Sequence, residues 1–185
     1  SSFYFDIRKD VLYCDSLNSK KRKECIIVLN VILDSLLKWF APIFVFTTEE
    51  IHSLIGKDNK SIHEQVFPEI PEKWKNENLN IKWKQLFKIK QKANIAIEEK
   101  RASKEIGSSL EAELKITANN NIYNLLEGLD LAEYFITSKA EKNKSEEKEE
   151  IKIEVTKTNG NKCPRCWKIL EKKCTRCEKV LAENV

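Results

Sequence analysis

Methionine is missing from all 185 residues. A complete translation product normally begins with one, so the expectation is a fragment whose first part is missing. The opening Ser1-Ser2-Phe3 has nothing of a signal peptide, and no apolar run reaches the roughly 18 residues a membrane span needs. A cytoplasmic protein without a membrane partner is therefore expected. The longest apolar-rich stretch, Cys25 to Phe46, is broken by Asn30, Asp34, Ser35, Lys38 and Pro42, and reads as a buried helix of a soluble protein. A strong charge of either sign is also lacking: 33 Lys and Arg face 29 Asp and Glu. That balance excludes a histone-like tail, and it permits a nucleic-acid partner without demanding one. Internal repeats are absent. Six cysteines, four in Cys-x-x-Cys pairs and two isolated, argue against a secreted disulfide framework.

What is present is 41% apolar residues, enough to bury a core in one medium domain or two small ones. Lys20 to Phe40 is the strongest helix. Asn18 or Ser19 can cap it, Cys25, Val28, Leu29, Ile32, Leu36 and Phe40 recur at helical spacing, and Leu33 and Leu37 widen the stripe. Pro42 ends or kinks it. Thr47-Thr48-Glu49-Glu50 reads as a capping box for a short helix closing at Gly56. Residues 57 to 78 read as irregular around Pro68 and Pro71. A second long helix is expected from about Leu79 to Lys104, with Trp83, Leu86, Phe87, the Lys90 stem, Ala93 and Ile97 on its core face. Lys82, Lys84, Lys88 and Lys92 mark its wet side. Beyond Gly107, strands are expected at Leu114–Thr117, Tyr134–Ile136 and Ile151–Val155, with a short helix over Ile122–Leu129. Lys139 to Glu150 reads as a charged linker.

The C-terminal module carries the chemistry. Cys163-x-x-Cys166 and Cys174-x-x-Cys177 are two knuckles seven residues apart. Each puts two thiolates on one turn, and two such turns complete a tetrahedral sulfur site for Zn²⁺. Two disulfides or a redox pair are the alternatives, but redox Cys-x-x-Cys motifs sit singly at a helix start after a strand. Four thiolates leave no open position for water, which makes the expected zinc structural. Cys14 and Cys25 read as core thiols. Lys162, Arg165, Lys168, Lys172, Lys173, Arg176 and Lys179 crowd the module, and Trp167 follows Cys166. These cations either balance a negatively charged zinc–thiolate centre or, beside an aromatic, form a nucleic-acid surface. Trp167 either packs on its knuckle or stacks on a base. Lys20, Lys21, Arg22 and Lys23 form a second basic cluster at a helix start, which the helix dipole disfavours. It is either a solvated helix end or a functional one.

Several blocks together resemble a known family. They are Phe5-Asp6-Ile7-Arg8-Lys9-Asp10-Val11-Leu12-Tyr13, Phe40-Ala41-Pro42-Ile43 leading to Thr47-Thr48-Glu49-Glu50-Ile51, Glu98-Glu99-Lys100-Arg101 and Ile106-Gly107-Ser108-Ser109-Leu110-Glu111-Ala112. Last come Lys162-Cys163-Pro164-Arg165-Cys166-Trp167 and Cys174-Thr175-Arg176-Cys177. In this order the chain resembles the C-terminal part of bacterial isoleucyl-tRNA synthetases. The Gly-x-Ser-Leu-Glu-Ala block is shared with sister synthetases, and the Cys-Pro-Arg-Cys-Trp knuckle is the more specific element. Val11 stands where the family usually has Arg, and the gap between knuckles is short.

The resemblance implies a mainly α chain. A helical-bundle anticodon-binding domain (1–107, N-terminally incomplete) is followed by a small α+β junction (108–158, with its linker at 139–150) and a four-cysteine zinc finger (159–185). It implies a monomeric class I isoleucine–tRNA ligase that uses ATP in a catalytic domain missing from this chain. The HIGH and KMSKS signatures are nowhere in it, so no catalytic residue is expected. The implied partners are isoleucine tRNA, gripped at the anticodon stem and loop, and the catalytic domain of the same polypeptide. Candidate RNA contacts are Trp167 for stacking, Arg165, Lys168 and Arg176 for phosphates or base edges, and Lys20, Lys21, Arg22 and Lys23. The competing readings are a zinc module that docks on its parent's catalytic domain and, more remotely, a DNA-binding zinc ribbon.

Overall fold

The structure, a computed structural model, describes residues 2–56, 60–145 and 151–183. Among these residues it is mainly α: seven α-helices, a three-stranded sheet, a two-stranded ribbon and a cluster of four cysteines. Its contacts separate two compact units, Ser1–Ser16 with Glu77–Val185, and Leu17–Asn76. The grouping differs from the three consecutive segments expected, because the first helix belongs with the C-terminal residues.

In the inserted unit, Leu17–Asn76, helix α2 (Lys20–Phe40) starts where expected, with the Ser19 hydroxyl accepting from the Arg22 amide. Its broad apolar stripe is mostly exposed rather than buried. Cys25 and Leu37 are covered, whereas Val28, Ile32, Leu36 and Phe40 are each about 40% exposed. One further helix, α3 (Val45–Ile55), and two single 3-10 turns (Ile62–Glu64 and Glu72–Trp74) are too little structure to cover a face of that width.

The expected capping box does not form. Backbone bonds from Ile43 and Phe44 to the Phe40 carbonyl already wind the chain through Pro42, so α3 begins at Val45 with no side-chain cap. Thr48 lies inside the helix and bonds back to the Phe44 carbonyl (2.9 Å). The Glu49 carboxylate reaches outward to the Ser61 hydroxyl (2.7 Å) and the Ile62 amide (2.9 Å). Gly56 closes α3 as expected, at φ +63°, where a side chain would be strained.

In the other unit, α1 (Ser2–Cys14) and α4 (Glu77–Ala102) pack with a small sheet. Leu86, Ile89, Ala93 and Ile97 of α4 meet the inward residues Leu114 and Ile116 of β1 (Ala112–Ala118) and Val155 of β3 (Ile151–Lys157). The sheet order is β2-β1-β3, with β3 antiparallel to β1 and Ile116 opposite Ile153. Strand β2 (Lys139–Lys144) runs parallel to β1, with Glu113 opposite Lys139. Residues 139–144 are therefore an edge strand and not a linker, and 146–150 lie outside the described residues. The strand is hard to see in sequence because an edge position favours charged side chains. Lys139 pairs across to Glu113 at 2.8 Å.

The crossover from β1 to β2 holds α5 (Asn120–Leu125, capped by Asn119) and α6 (Leu131–Phe135). The strand expected at Tyr134–Ile136 is this second helix. The Asp130 carboxylate caps the Glu133 amide (3.1 Å), and Ile136 ends the helix at φ +59°. Burial of Leu131, Tyr134 and Phe135 on one side outweighs the β-propensity of a Tyr-Phe-Ile run.

Lys90 lies half-buried among the rings of Phe3 and Tyr134 and donates to the Tyr134 carbonyl. Burial lowers its ammonium pKa to about 8, against ~10.4 for an unfolded lysine. Between those values the unfolded chain keeps a proton that the native chain has released, so stability rises with pH across that window. The urea midpoint of the native chain, relative to Lys90→Met, should climb from pH 8 to pH 10. Parallel profiles would mean that the two rings hold the amine charged.

Candidate metal centre

The cysteine module begins with a ribbon of β4 (Asn161–Lys162) and β5 (Ile169–Leu170), with Lys162 opposite Ile169. Gly160 leads into it at φ +135°, and a Cβ there would collide with the Leu170 carbonyl. The connection between β4 and β5 is the first knuckle. The Cys163 amide bonds to the Lys168 carbonyl and the Trp167 amide to the Cys163 carbonyl, both at 2.9 Å. Trp167 closes the turn at φ +64° and is 61% exposed as a residue. The second knuckle opens α7 (Thr175–Glu183): the Cys174 carbonyl accepts the Glu178 amide, and Cys177 lies in the first turn. The amide end of a helix thus faces the thiols, where its dipole favours thiolate.

The four sulfurs of Cys163, Cys166, Cys174 and Cys177 all lie within 4.8 Å of one another, and Cys166 and Cys174 are 3.9 Å apart. A tetrahedron with Zn–S bonds of ~2.3 Å has edges of about 3.8 Å. The donor set therefore fits a metal ion, and closed four-sulfur coordination is the geometry it would impose. For the thiols themselves, burial opposes ionisation of Cys163, but amides of Cys166 and Arg165 outweigh it and bring the group to about 7. Burial pushes Cys166 and Cys177 up.

Helix α1 supplies a set of groups that sequence reading did not connect with the knuckles. The Arg176 guanidinium grips Asp10 with two bonds (2.6 and 2.7 Å) and reaches Asp15 at 3.1 Å. Lys168 approaches Asp10 at 3.9 Å. Arg165 donates to the carbonyls of Tyr13 (3.1 Å) and Cys14, and lies 3.8 Å from the Cys177 sulfur. Desolvation disfavours the Asp10 carboxylate, yet Arg176 holds its pKa below the usual range. The Cys14 thiol packs against the cluster as a buried neighbour, and burial pushes it up to about 11. The Ser138 hydroxyl takes the Ile169 amide (2.6 Å) and so ties the ribbon to the sheet unit.

Of the candidate RNA contacts, Arg165, Lys168 and Arg176 are therefore gathered against α1, while Trp167 stands out on the first knuckle. Lys20, Lys21, Arg22 and Lys23 occupy the first turn of α2 in the inserted unit, and Lys20 lies 3.8 Å from Glu24. The only sequence signal for the role of Asp10 was its place in the Lys9-Asp10 block, some 166 positions from Arg176.

The family described as the anticodon-binding domain of tRNA ligase matches residues 1–116. The chain belongs to this anticodon-binding family. The resemblance read from its motifs is also met by individual relatives. The isoleucine–tRNA ligase of Pelagibacter ubique is 57% identical over 169 residues, covering 91% of this chain and 19% of that protein. The enzyme of the same name from Agrobacterium fabrum is 40% identical over 179 residues, covering 91% and 18%. That from Thermoanaerobacter sp. is 37% identical over 182 residues, covering 90% and 20%. The chain spans about a fifth of the length of these curated relatives. In this family member the match takes in α1 with Asp10, whereas the cysteine knuckles that Asp10 holds lie beyond the matched residues.

Replacing Asp10 with Asn would leave Arg176 with Asp15 as its carboxylate among these contacts. The pair is partly shielded, with side chains 34% and 23% exposed, so a loss of roughly 1–3 kcal/mol is expected, below that of a fully buried pair. Hydrogen exchange should quicken in α1 and α7 together. Unchanged protection in both would reduce the contact to a surface ion pair.

Proposed function

We propose that this chain is the tRNA-binding region of an isoleucine–tRNA ligase and engages the anticodon stem and loop. The whole protein, a class I enzyme, would join isoleucine to its tRNA with ATP in the cytoplasm, working as a monomer. The observation that carries this reading is the family match over residues 1–116 together with isoleucine ligases similar over about nine-tenths of the chain. The chain itself supplies no catalytic residue under this reading. Its partners are isoleucine tRNA and the catalytic domain of its own polypeptide.

The metal in this proposal is one structural Zn²⁺ on Cys163, Cys166, Cys174 and Cys177. The compact four-thiol cluster supports a structural role, because four thiolates would fill a tetrahedral zinc site. Trp167 is the strongest candidate for stacking on an unpaired base, because it is a largely exposed aromatic at the turn of the knuckle, with the Lys162 ammonium 5.9 Å from its ring centroid. The internal bonds of Arg165 and Arg176 favour a narrower role for those two: they secure the knuckles on α1 and leave direct RNA contact to Trp167 and to lysines. The same bonds lend some weight to an intramolecular docking role for the module's positive charge.

Zinc-loaded chain should bind isoleucine tRNA more tightly than the same tRNA carrying a different anticodon, measured at one fixed moderate salt concentration. Equal, salt-sensitive binding to both would remove anticodon recognition from the proposal. Trp167→Ala should weaken binding and leave metal content intact; equal affinity of the two forms would exclude stacking. The chain should also take up one equivalent of zinc. Cys163→Ser or Cys177→Ser should lose it together with protection of the knuckle amides, since binding a structural metal contributes to folding. A module that stays protected in excess chelator would exclude that role.

A further inference from the structure

Helix α4 runs from Asn78 to Ile97 without a single carboxylate, and that stretch carries Lys82, Lys84, Lys88, Lys90 and Lys92. Lys90 is turned inward to Tyr134. Lys84, Lys88 and Lys92 are exposed and follow one another at four-residue spacing, so they form a single stripe with about 6 Å of rise between neighbours. Among the described residues none of the three has an ion-pair partner. That separates them from the cations of the knuckles, three of which are directed to groups of α1.

Beside the stripe lies an open groove of about 410 Å³. Gln85, Lys88 and Lys92 of α4 line it together with Asn119, Asn121 and four aliphatic residues, and no carboxylate does. Side-chain amides and ammonium groups without acidic neighbours suit the oxygens of a sugar-phosphate backbone. The spacing of the lysines is of the scale of neighbouring phosphates along one strand. Nothing in the groove offers the paired aromatics that would select a base.

We infer that the Lys84–Lys88–Lys92 stripe, with the carboxylate-free groove beside it, is a phosphate-tracking surface for the RNA backbone, distinct from the knuckles. The inference rests on the tRNA-binding reading and assigns the sequence-independent part of that binding to α4. The stripe supplies affinity and salt dependence, and specificity for bases is left to other residues.

The test uses zinc-loaded chain and an isoleucine tRNA transcript, with dissociation constants measured over a series of salt concentrations. The variant Lys84→Gln/Lys88→Gln/Lys92→Gln should bind at least tenfold more weakly at low salt. The slope of log affinity against log salt should fall by roughly two to three, at ~0.7–0.9 for each phosphate the variant no longer neutralises. The control Lys115→Gln/Lys152→Gln/Lys157→Gln removes as many exposed charges from the sheet and should leave the slope near that of the parent chain. In the unmutated chain, bound tRNA should also protect Lys84, Lys88 and Lys92 from acetylation by an amine-reactive ester; this readout does not depend on the variant folding. A parent chain that binds while the α4 variant keeps its slope, or while the three lysines stay reactive, overturns this inference and leaves the tRNA reading in place. An equal loss of slope in the control also overturns it, because general charge would then account for the effect. A parent chain that does not bind tRNA overturns both.

Discussion

An arginine on the last helix holds an aspartate on the first, and the arrangement of the cysteine module follows from that contact. Residues 159–183 are too few to bury a core of their own, and apart from Cys163, Cys166 and Cys177 only Val180 among them is buried and apolar. Such a module needs staples. The four thiols provide one when they hold a metal, and Arg176 with Asp10 and Asp15 provides another. Arg165 adds a third by bonding to the α1 carbonyls at the end of the helix, which are short of partners in any case. The carboxylates of Asp10 in α1 and of Asp15 just after it therefore do for Arg176 what solvent or a ligand would otherwise do. The same clamp brings the Cys14 thiol against the metal-ligand cluster, where burial keeps it protonated.

This places the positive charge of the chain in two classes. Around the knuckles, part of it is structural, neutralised by carboxylates and carbonyls of α1. On α4, three lysines stand exposed along one stripe in a carboxylate-free stretch. A net charge of only +4 conceals that division, because a total does not distinguish a lysine used inside the fold from one facing water.

Several parts of the fold were legible because each had a strong local cause. Ser19, the apolar spacing of α2, Gly56, and the period of α4 from Trp83 to Ile97 are cues within a few residues of what they specify. The compact four-cysteine cluster was legible in the same way, from two short spacings. What escaped was set at a distance. Strand β2 has charged residues that suit an edge, and its partner β1 lies more than twenty positions earlier. Helix α6 has strand-like residues, and burial of one side decides its form. The apolar stripe of α2 reads as core, but within these residues little structure is available to cover it. Asp10 could be connected with Arg176 only through the folded chain.

The inserted unit gives one topological consequence. Residues 17–76 form a compact unit of their own, while the chain before and after them belongs to the other unit. For the other unit, folding amounts to closing a loop of that length, a cost that grows only logarithmically, by about 0.6 kcal/mol for each doubling. The inserted unit is therefore free to lengthen, shorten or exchange surface features at small expense to the part that carries the cysteines. Divergence among related chains can proceed in the two units at separate rates, whereas a change in α1 is one that the knuckles would register at once.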